Sequence, residues 1–146
     1  MSKRSGVPVA VTGKVRDACL CLHVRRAARA VTRRYDEALR PLALTSGQFS
    51  LMMSLNRAEA ASMGVVSALL AMDRTTLTAN LKPLERRGLV RVTVDAADKR
   101  SRLMTLTPAG RNTLAAALPL WKGAQGATER LVAGPDRLRA DLRALS

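Results

Sequence analysis

The stretch from Asp73 to Arg111 constrains the fold of this chain more than any other part of the sequence. It opens with an amphipathic segment that an aspartate can cap at its start and that Gly88 can end in a left-handed conformation. Two short alternating runs follow around the polar tip Asp95–Arg100, and Thr107 with the next proline marks the start of another helix. This order predicts a capped helix, a charged β-hairpin and a further helix.

The helix predicted after Asp73 has one apolar face and one small, polar face. Leu77, Leu81 and Leu84 recur at helical spacing and are expected to face the core. The opposite face is small near its N-terminus and basic further along, so the helix could lie deep in the major groove of DNA. The alternative is an ordinary solvated face. The residues expected to contact bases or phosphates are Thr75, Thr76, Thr78, Ala79, Lys82 and Arg86.

The hairpin predicts a second element that could contact nucleic acid. Its expected strands are Leu89–Val94 and Arg102–Thr107, and the tip between them combines acidic and basic side chains. A carboxylate such as that of Asp98 can orient an arginine such as Arg100 toward a phosphate or a minor groove. The alternative is a solvated hairpin whose charges only protect an edge strand from aggregation.

The segments before Asp73 predict three helices. Residues 15–42 repeat apolar side chains at the spacing of one face of a long helix. Thr45 and Gln48 form the pattern of a capping box, and Ser62 can cap the next short helix. With the helix after Asp73, these short helices predict a helix-turn-helix.

The expected fold is therefore mainly α with a small β-hairpin wing, a winged helix-turn-helix. Residues 1–14 mix glycine, proline and basic residues without a period and predict a flexible basic arm. Residues 15–146 are expected to form a single domain, with residues 45–107 as its DNA-binding lobe. The flanking helices, within residues 15–42 and 108–146, carry more apolar surface than this lobe can cover, which predicts a homodimer.

The charge of the chain indicates an anionic partner. The 146 residues have a formal net charge of +14, and an isoelectric point this basic is typical of nucleic-acid-binding proteins. A membrane surface is less favoured, since no apolar run approaches the ~20 residues of a span. We find no secretion signal and no disulfide framework, which predicts a cytoplasmic protein.

In three stretches the sequence resembles the MarR family of bacterial transcriptional regulators. Leu42–Phe49 is similar to the family's entry into its second helix, and Asp73–Val90 to its recognition helix. Asp95–Arg111, which ends in Leu-Thr-Pro-Ala-Gly-Arg, is similar to its wing signature. The resemblance covers roughly residues 15–145. The sequence departs from the family at two turn positions, where Ala43 and Ala71 replace the usual glycine.

The resemblance implies a homodimer that binds a pseudo-palindromic operator in double-stranded DNA. Two recognition helices would enter successive major grooves, and the wing arginine of each subunit would enter the adjacent minor groove. That arginine matches Arg100, with Asp98 as the residue that orients it and Arg102 as a supporting contact. Members of the family usually repress a nearby gene until an unknown small-molecule effector or an oxidant releases them.

A metal site is suggested by three close residues, Cys19, Cys21 and His23, and a redox sensor by Cys21. On one helix Cys21 would point about 200° away from Cys19, so we expect no metal site, and we expect no cofactor. Cys21 is similar in position to the reactive cysteine of the family's peroxide sensors, although a small packing residue is the simpler interpretation. Trp121 could line an effector pocket, or it could be a large core residue.

The predicted function is that of a sequence-specific transcriptional regulator. Two other classes of protein are the alternatives. The first alternative is a nonspecific basic protein that binds nucleic acid wherever it meets it. The second is an enzyme, which is not favoured because no nucleophile elbow, phosphate loop or catalytic carboxylate pair accompanies His23.

Overall fold

The computed structural model describes residues 6–146, which form seven α-helices and three short strands. In chain order the elements are α1 (Val9–Ala18), α2 (Leu20–Leu39), α3 (Ser46–Ser54), β1 (Ala61–Ser62), α4 (Met63–Leu70), α5 (Arg74–Arg86), β2 (Val90–Val94), β3 (Arg102–Leu106), α6 (Pro108–Glu129) and α7 (Pro135–Ala144). A 3₁₀ turn, Arg40–Leu42, follows α2. The predicted fold class, mainly α with a small wing, is confirmed. None of the described helices is long and apolar enough to cross a membrane.

The chain divides into two compact units, the first ending at Arg33 and the second beginning at Arg34. This division falls within α2, and the single domain expected over residues 15–146 stays a prediction. The described residues of the first unit bury no side chain, because α1 has no buried residue and the only one in α2 is Leu39. The first unit therefore has no core of its own among these residues.

The first unit also corrects two predicted boundaries. The predicted arm over residues 1–14 includes the start of α1, which begins at Val9. Pro8 precedes the helix, where a backbone N–H would have no partner within the helix and its absence costs nothing. Residues 1–5 of that arm lie outside the described residues. The predicted helix over residues 15–42 is interrupted at Cys19, whose ψ of 105° is extended. No proline or glycine marks this break, so the sequence pattern continued across it.

The core of the second unit is built from leucine, valine, methionine, two alanines and one phenylalanine. Leu39, Leu51, Leu77, Leu84 and Met104 are fully buried within it. The core joins the helix-turn-helix to the wing and to the N-terminal half of α6, where Leu114 and Ala117 are buried. Because aliphatic side chains supply almost all of this core, the low aromatic content of the chain is compatible with a stable fold.

The wing is a three-stranded antiparallel sheet in the order β1-β3-β2. Val92 pairs with Met104 in the predicted hairpin, and Ala61 pairs with Met104 on the other side of β3. The sequence predicted the hairpin but not β1, whose two residues are too short a run to show alternation. β1 anchors the start of α4 to the wing.

Three residues of the second unit adopt a left-handed backbone conformation. Gly88 does so after α5, with a φ of 69°, as the sequence predicted. Ala43 and Ala71, with φ of 51° and 49°, do so after the 3₁₀ turn and α4. These two alanines are the positions where the related family usually has glycine, and the fold keeps its turns despite the steric cost of a Cβ there.

Candidate nucleic-acid interface

Side-chain hydrogen bonds fix the start of α5. The Asp73 carboxylate accepts from the backbone N–H of Thr76 at 2.7 Å and from the Thr76 hydroxyl at 2.9 Å. These bonds from Thr76 hold the pKa of Asp73 below its ordinary value. The cap therefore favours folding above the ordinary carboxyl pKa and weakens as pH falls through the lowered one.

The outward face of α5 is as the leucine spacing predicts. Leu77 and Leu84 are fully buried, whereas Thr75, Ala79 and Lys82 are exposed on the other side of the helix. Arg86 is also exposed, and Thr78 is half-buried. A shallow concavity on this face is lined by Arg74, Thr75, Thr78, Ala79 and Lys82. Arg74 was not among the predicted contacts, although a helical projection of the sequence could have included it.

The three threonines of this face differ in whether their hydroxyls already donate a hydrogen bond within the chain. The Thr76 hydroxyl donates to Asp73, and the Thr78 hydroxyl donates to the Arg74 carbonyl at 2.8 Å. The Thr75 hydroxyl makes no hydrogen bond with any residue that the structure describes. Thr75 can therefore donate to a base edge without breaking an internal bond, whereas Thr76 serves the helix cap.

The wing tip is shaped by two aspartates that bind backbone rather than arginine side chains. Asp95 Oδ1 accepts from the N–H of Ala97 at 2.9 Å, and Asp98 Oδ1 accepts from the N–H of Arg100 at 3.0 Å. Within the described residues, no ion pair joins Asp98 to the Arg100 guanidinium. Asp98 thus sets the backbone at Arg100, which leaves that guanidinium exposed.

Arg102 lies at the base of the same tip. Its guanidinium donates to the carbonyls of Lys99 at 3.2 Å and Ser101 at 3.4 Å. These bonds hold the turn and keep the Arg102 charge beside the tip. In this structure Arg102 supports the loop that presents Arg100.

The arginine pair at the end of α5 has two different roles. Arg87 donates to the carbonyl of Ala43 at 2.7 Å and to the carbonyl of Leu42 at 2.9 Å. It therefore satisfies the turn that leads into α3, where Ala43 has its left-handed conformation. Arg86 makes no such bond within the described part of the chain. The sequence did not predict the structural role of Arg87, since its hydrogen bonds to Ala43 and Leu42 join residues more than forty positions apart.

The predicted cysteines and the histidine lie on α2 and at the break before it. Cys21 is exposed on α2, and Cys19 is half-buried at the break between α1 and α2. The angle of about 200° that one continuous helix would place between Cys19 and Cys21 therefore does not apply here, because the helix is broken at Cys19. The His23 ring nitrogen Nδ1 lies 2.8 Å from the Cys19 carbonyl. Among the described residues, no group of three His, Cys, Asp or Glu side chains could hold a metal ion.

Trp121 lies beside a cavity of about 390 Å³ formed by α3, α4 and α6. Its ring stacks on Phe49, with centroids 6.1 Å apart. Met53, Leu69 and Leu118 also line the cavity, and Ser50 and Ser54 are the hydroxyl-bearing residues among its described lining. Trp121 therefore packs against the core and faces a cavity at the same time.

The comparisons with known proteins agree with this geometry. A sequence model of the MarR family matches residues 44–101. The transcriptional regulator HosA of Escherichia coli O127:H6 is 37% identical over 78 residues, which are 53% of this chain and 57% of HosA. The chain thus spans little more than half the length of that curated relative.

Solved structures extend the likeness to most of the chain. The M. tuberculosis transcriptional regulator MosR, solved in complex with DNA, is 41% identical, with a TM-score of 0.80 over 87% of this chain and 92% of MosR. CouR from Rhodococcus jostii RHA1, bound to p-coumaroyl-CoA, is 25% identical, with a TM-score of 0.71 over 88% of this chain and 90% of CouR. The family model's match to residues 44–101 and the 41% identity with MosR over almost its whole length establish that this chain belongs to the MarR family.

Proposed function

We propose that this protein is a sequence-specific regulator of transcription that binds double-stranded DNA. The observation that carries the proposal is the outward face of α5, where Thr75, Ala79 and Lys82 are exposed opposite a row of buried leucines. Small side chains allow a helix to enter the major groove, and the threonine hydroxyl and methyl can read base edges. MosR, solved with DNA, is similar over almost its whole length.

In this proposal α5 reads bases while basic side chains hold the phosphates. Thr75, Thr78 and Ala79 approach the base edges, and Thr76 holds the helix start. Lys82 and Arg86 extend along the same face toward the backbone of the duplex. The wing places Arg100 in a groove beside the one that α5 enters, on a tip held by Asp98 and Arg102. Because its target is genomic DNA, we place the protein in the cytoplasm, as a regulator and not an enzyme.

Replacing Arg100 with alanine should weaken binding to specific DNA by roughly 1–3 kcal/mol and lower the slope of log K against log salt by about one unit for each bound subunit. The reason is the loss of one exposed guanidinium from the wing tip, with no internal ion pair to break. Fluorescence anisotropy at several salt concentrations measures both quantities. Arg143→Ala, an equal change of charge on α7, serves as the control. Unchanged affinity and slope for Arg100→Ala would remove this residue from the interface.

We also propose that the protein acts as a homodimer on a pseudo-palindromic operator. Leu138, Leu142 and Leu145 on and after α7 are 41%, 43% and 65% exposed. On α2, Leu20 is 71% exposed and Val31 is 39% exposed. Apolar side chains at helical spacing on both terminal segments are what a second copy would cover. Light scattering at micromolar protein measures the mass directly, and a stable monomer would contradict the dimer.

The cavity beside Trp121 is our candidate for an effector site. Its lining among the described residues carries no charge, and the Ser54 hydroxyl, which donates to the Leu51 carbonyl at 2.7 Å, still has a free acceptor position. An uncharged aromatic molecule therefore fits better than an anion, because the lining is mostly apolar and its described residues offer no charged partner for a carboxylate. CouR, a structural relative, was solved with p-coumaroyl-CoA.

A matched pair of probes tests the chemistry of this cavity. We expect 2-naphthol to raise the melting temperature of the protein more than 2-naphthoate does, since the two share a ring system and differ in charge. Met53→Arg, which places a cation at the cavity wall, should reverse this preference. Equal stabilisation by both probes in the parent protein would contradict an uncharged ligand.

Cys21 remains a candidate redox sensor, supported by its exposure on α2 and by the neighbouring guanidinium-bearing residue Arg25 in the sequence. A reactive thiolate requires access to solvent, which Cys21 has. We expect iodoacetamide to label the parent protein at neutral pH faster than the Cys21→Ser variant. If the two proteins are labelled at the same rate, Cys21 is not the reactive thiol.

A further inference from the structure

The helix α2 carries a row of arginines that the proposed operator contacts do not use. Arg26, Arg29 and Arg33 lie within a sector of about 60° around the helix axis, at 100° per residue. We call these three residues the arginine stripe. All three are exposed, and Arg25 and Arg34 flank them. Val24 and Val31 lie on the opposite side of the helix.

The charges of the stripe are not neutralised by the chain itself. No acidic residue occurs between Asp17 and Asp36 in the sequence. Asp17 is paired with Arg16, Glu37 is paired with Arg40, and Asp36 accepts from the Ser46 N–H at 2.6 Å. Within the described residues, none of the stripe arginines takes part in an ion pair.

We propose that the arginine stripe binds the phosphate backbone of duplex DNA outside the operator. Arg26 to Arg33 spans about 10 Å along the helix axis. Each DNA strand carries one phosphate per ~3.4 Å of its axis, so the stripe can face about three phosphates. Guanidinium groups bind phosphate oxygens through paired hydrogen bonds. This proposal rests on the proposed DNA binding and extends it beyond the segment that α5 and the wing contact.

An acidic protein surface is a less suitable occupant of the stripe. Between Arg26 and Arg33, this side of α2 presents no aromatic and no large aliphatic side chain. Protein interfaces obtain most of their binding free energy from such apolar or aromatic anchors, with charges at their rim. A surface whose only large side chains are arginines suits a phosphate backbone, which offers negative charge and needs no apolar anchor.

The test compares two duplexes that share the segment protected in a footprint by the variant R26A/R29A/R33A, which lacks the stripe. One contains that segment alone, and the other extends it by about one helical turn, roughly 10 bp, at each end. We expect the parent protein to bind the extended duplex more tightly. The triple variant R26A/R29A/R33A should lose that gain, about tenfold or more in affinity, and should reduce the salt slope on the extended duplex by about 2–3 units for each bound subunit. Its affinity for the short duplex should stay within about twofold of the parent.

Two further variants make the result specific to the stripe. R130A/R137A/R143A changes the net charge by the same amount on exposed positions elsewhere and should bind both duplexes as the parent does. R26K/R29K/R33K keeps the charge and should retain most of the gain, and circular dichroism checks that each variant is folded. The proposal is overturned if R26A/R29A/R33A binds the extended duplex as the parent does, or if R130A/R137A/R143A loses the same affinity as R26A/R29A/R33A.

Other outcomes distinguish binding of DNA by the stripe from binding of a protein partner and from a failure of the proposed operator binding. Binding of a poly-glutamate peptide to the stripe, with no gain from the extended duplex, would indicate a protein partner and overturn the proposal. If the parent protein prefers no sequence at all, the proposed operator binding fails. The salt slopes on two random duplexes of different length then still decide whether the stripe binds phosphate.

Discussion

Replacing Gly110 with alanine is expected to lower the free energy of unfolding by about 3 kcal/mol, the upper part of the range for overpacked sites. A Cβ at this position would stand 2.0 Å from the carbonyl oxygen of Leu89 and 3.0 Å from its carbonyl carbon. Backbone cannot rotate away as a flexible side chain can. The methyl group would therefore force the first turn of α6 away from the start of β2.

The carbonyl of Leu89 is also held from other directions. It accepts from the backbone N–H of Thr107 at 3.1 Å, and the Thr107 hydroxyl lies 3.2 Å away. The same hydroxyl donates to the Gly88 carbonyl at 2.6 Å and caps α6 through the N–H of Gly110 at 3.0 Å. Any shift that makes room for a methyl group must break several of these bonds, because they all meet at one junction.

Urea unfolding of Gly110→Ala, with Gly123→Ala as the matched control, measures this effect. Gly123 lies in the same helix, and a Cβ there would meet nothing within 4 Å. Because alanine is the better helix former, Gly123→Ala should raise the free energy of unfolding by roughly 0.5–1 kcal/mol. A Gly110→Ala variant as stable as the parent protein would show that α6 does not approach the wing this closely.

The substitution Ala79→Glu should weaken binding to operator DNA about 100-fold or more, since like charges brought together at an interface cost several kcal/mol. Ala79 is exposed near the middle of the outward face of α5, between Thr75 and Lys82. A longer side chain would hold the helix out of the groove, and its carboxylate would face phosphates. Stability should change little, because the residue buries nothing in the core.

Anisotropy titrations with the same duplex compare this variant with two controls. Ala115→Glu introduces the same side chain at an exposed position of α6 and should bind DNA within about threefold of the parent protein, as surface changes remote from an interface do. Ala79→Ser keeps the position small and should retain most of the affinity. Equal affinity of Ala79→Glu and the parent protein would exclude this face of α5 from the contact with DNA.

The helix ends of the second unit could be predicted because they depend on neighbouring residues. Thr45, Ser62, Asp73 and Thr107 each accept a hydrogen bond from a backbone N–H three residues later, as their positions predicted. Gly88 has the left-handed conformation expected of it. The leucine spacing of α5 likewise fixed which face is buried, and thereby which residues are candidates for reading DNA.

Features that depend on distant parts of the chain could not be predicted in this way. The pairing of Ala61 with Met104, the bond from Arg87 to Ala43 and the approach of Gly110 to Leu89 all join residues far apart in sequence. Arg100, which the sequence predicts as a DNA contact, is exposed, whereas Asp98, which was predicted to orient its guanidinium, binds the backbone of the tip. The break at Cys19 has no sequence signal that we can name.

The central claim is that the protein distinguishes DNA sequences and is not only attracted by phosphate. It is tested most directly by the affinities of the parent protein for a duplex from the DNA beside its own gene and for a shuffled duplex of equal length, measured at ~150 mM salt. We expect the first affinity to exceed the second by about 10³-fold or more, as for specific DNA-binding proteins generally. Equal affinities, falling together as salt rises, would show instead a nonspecific basic binder and would contradict the account.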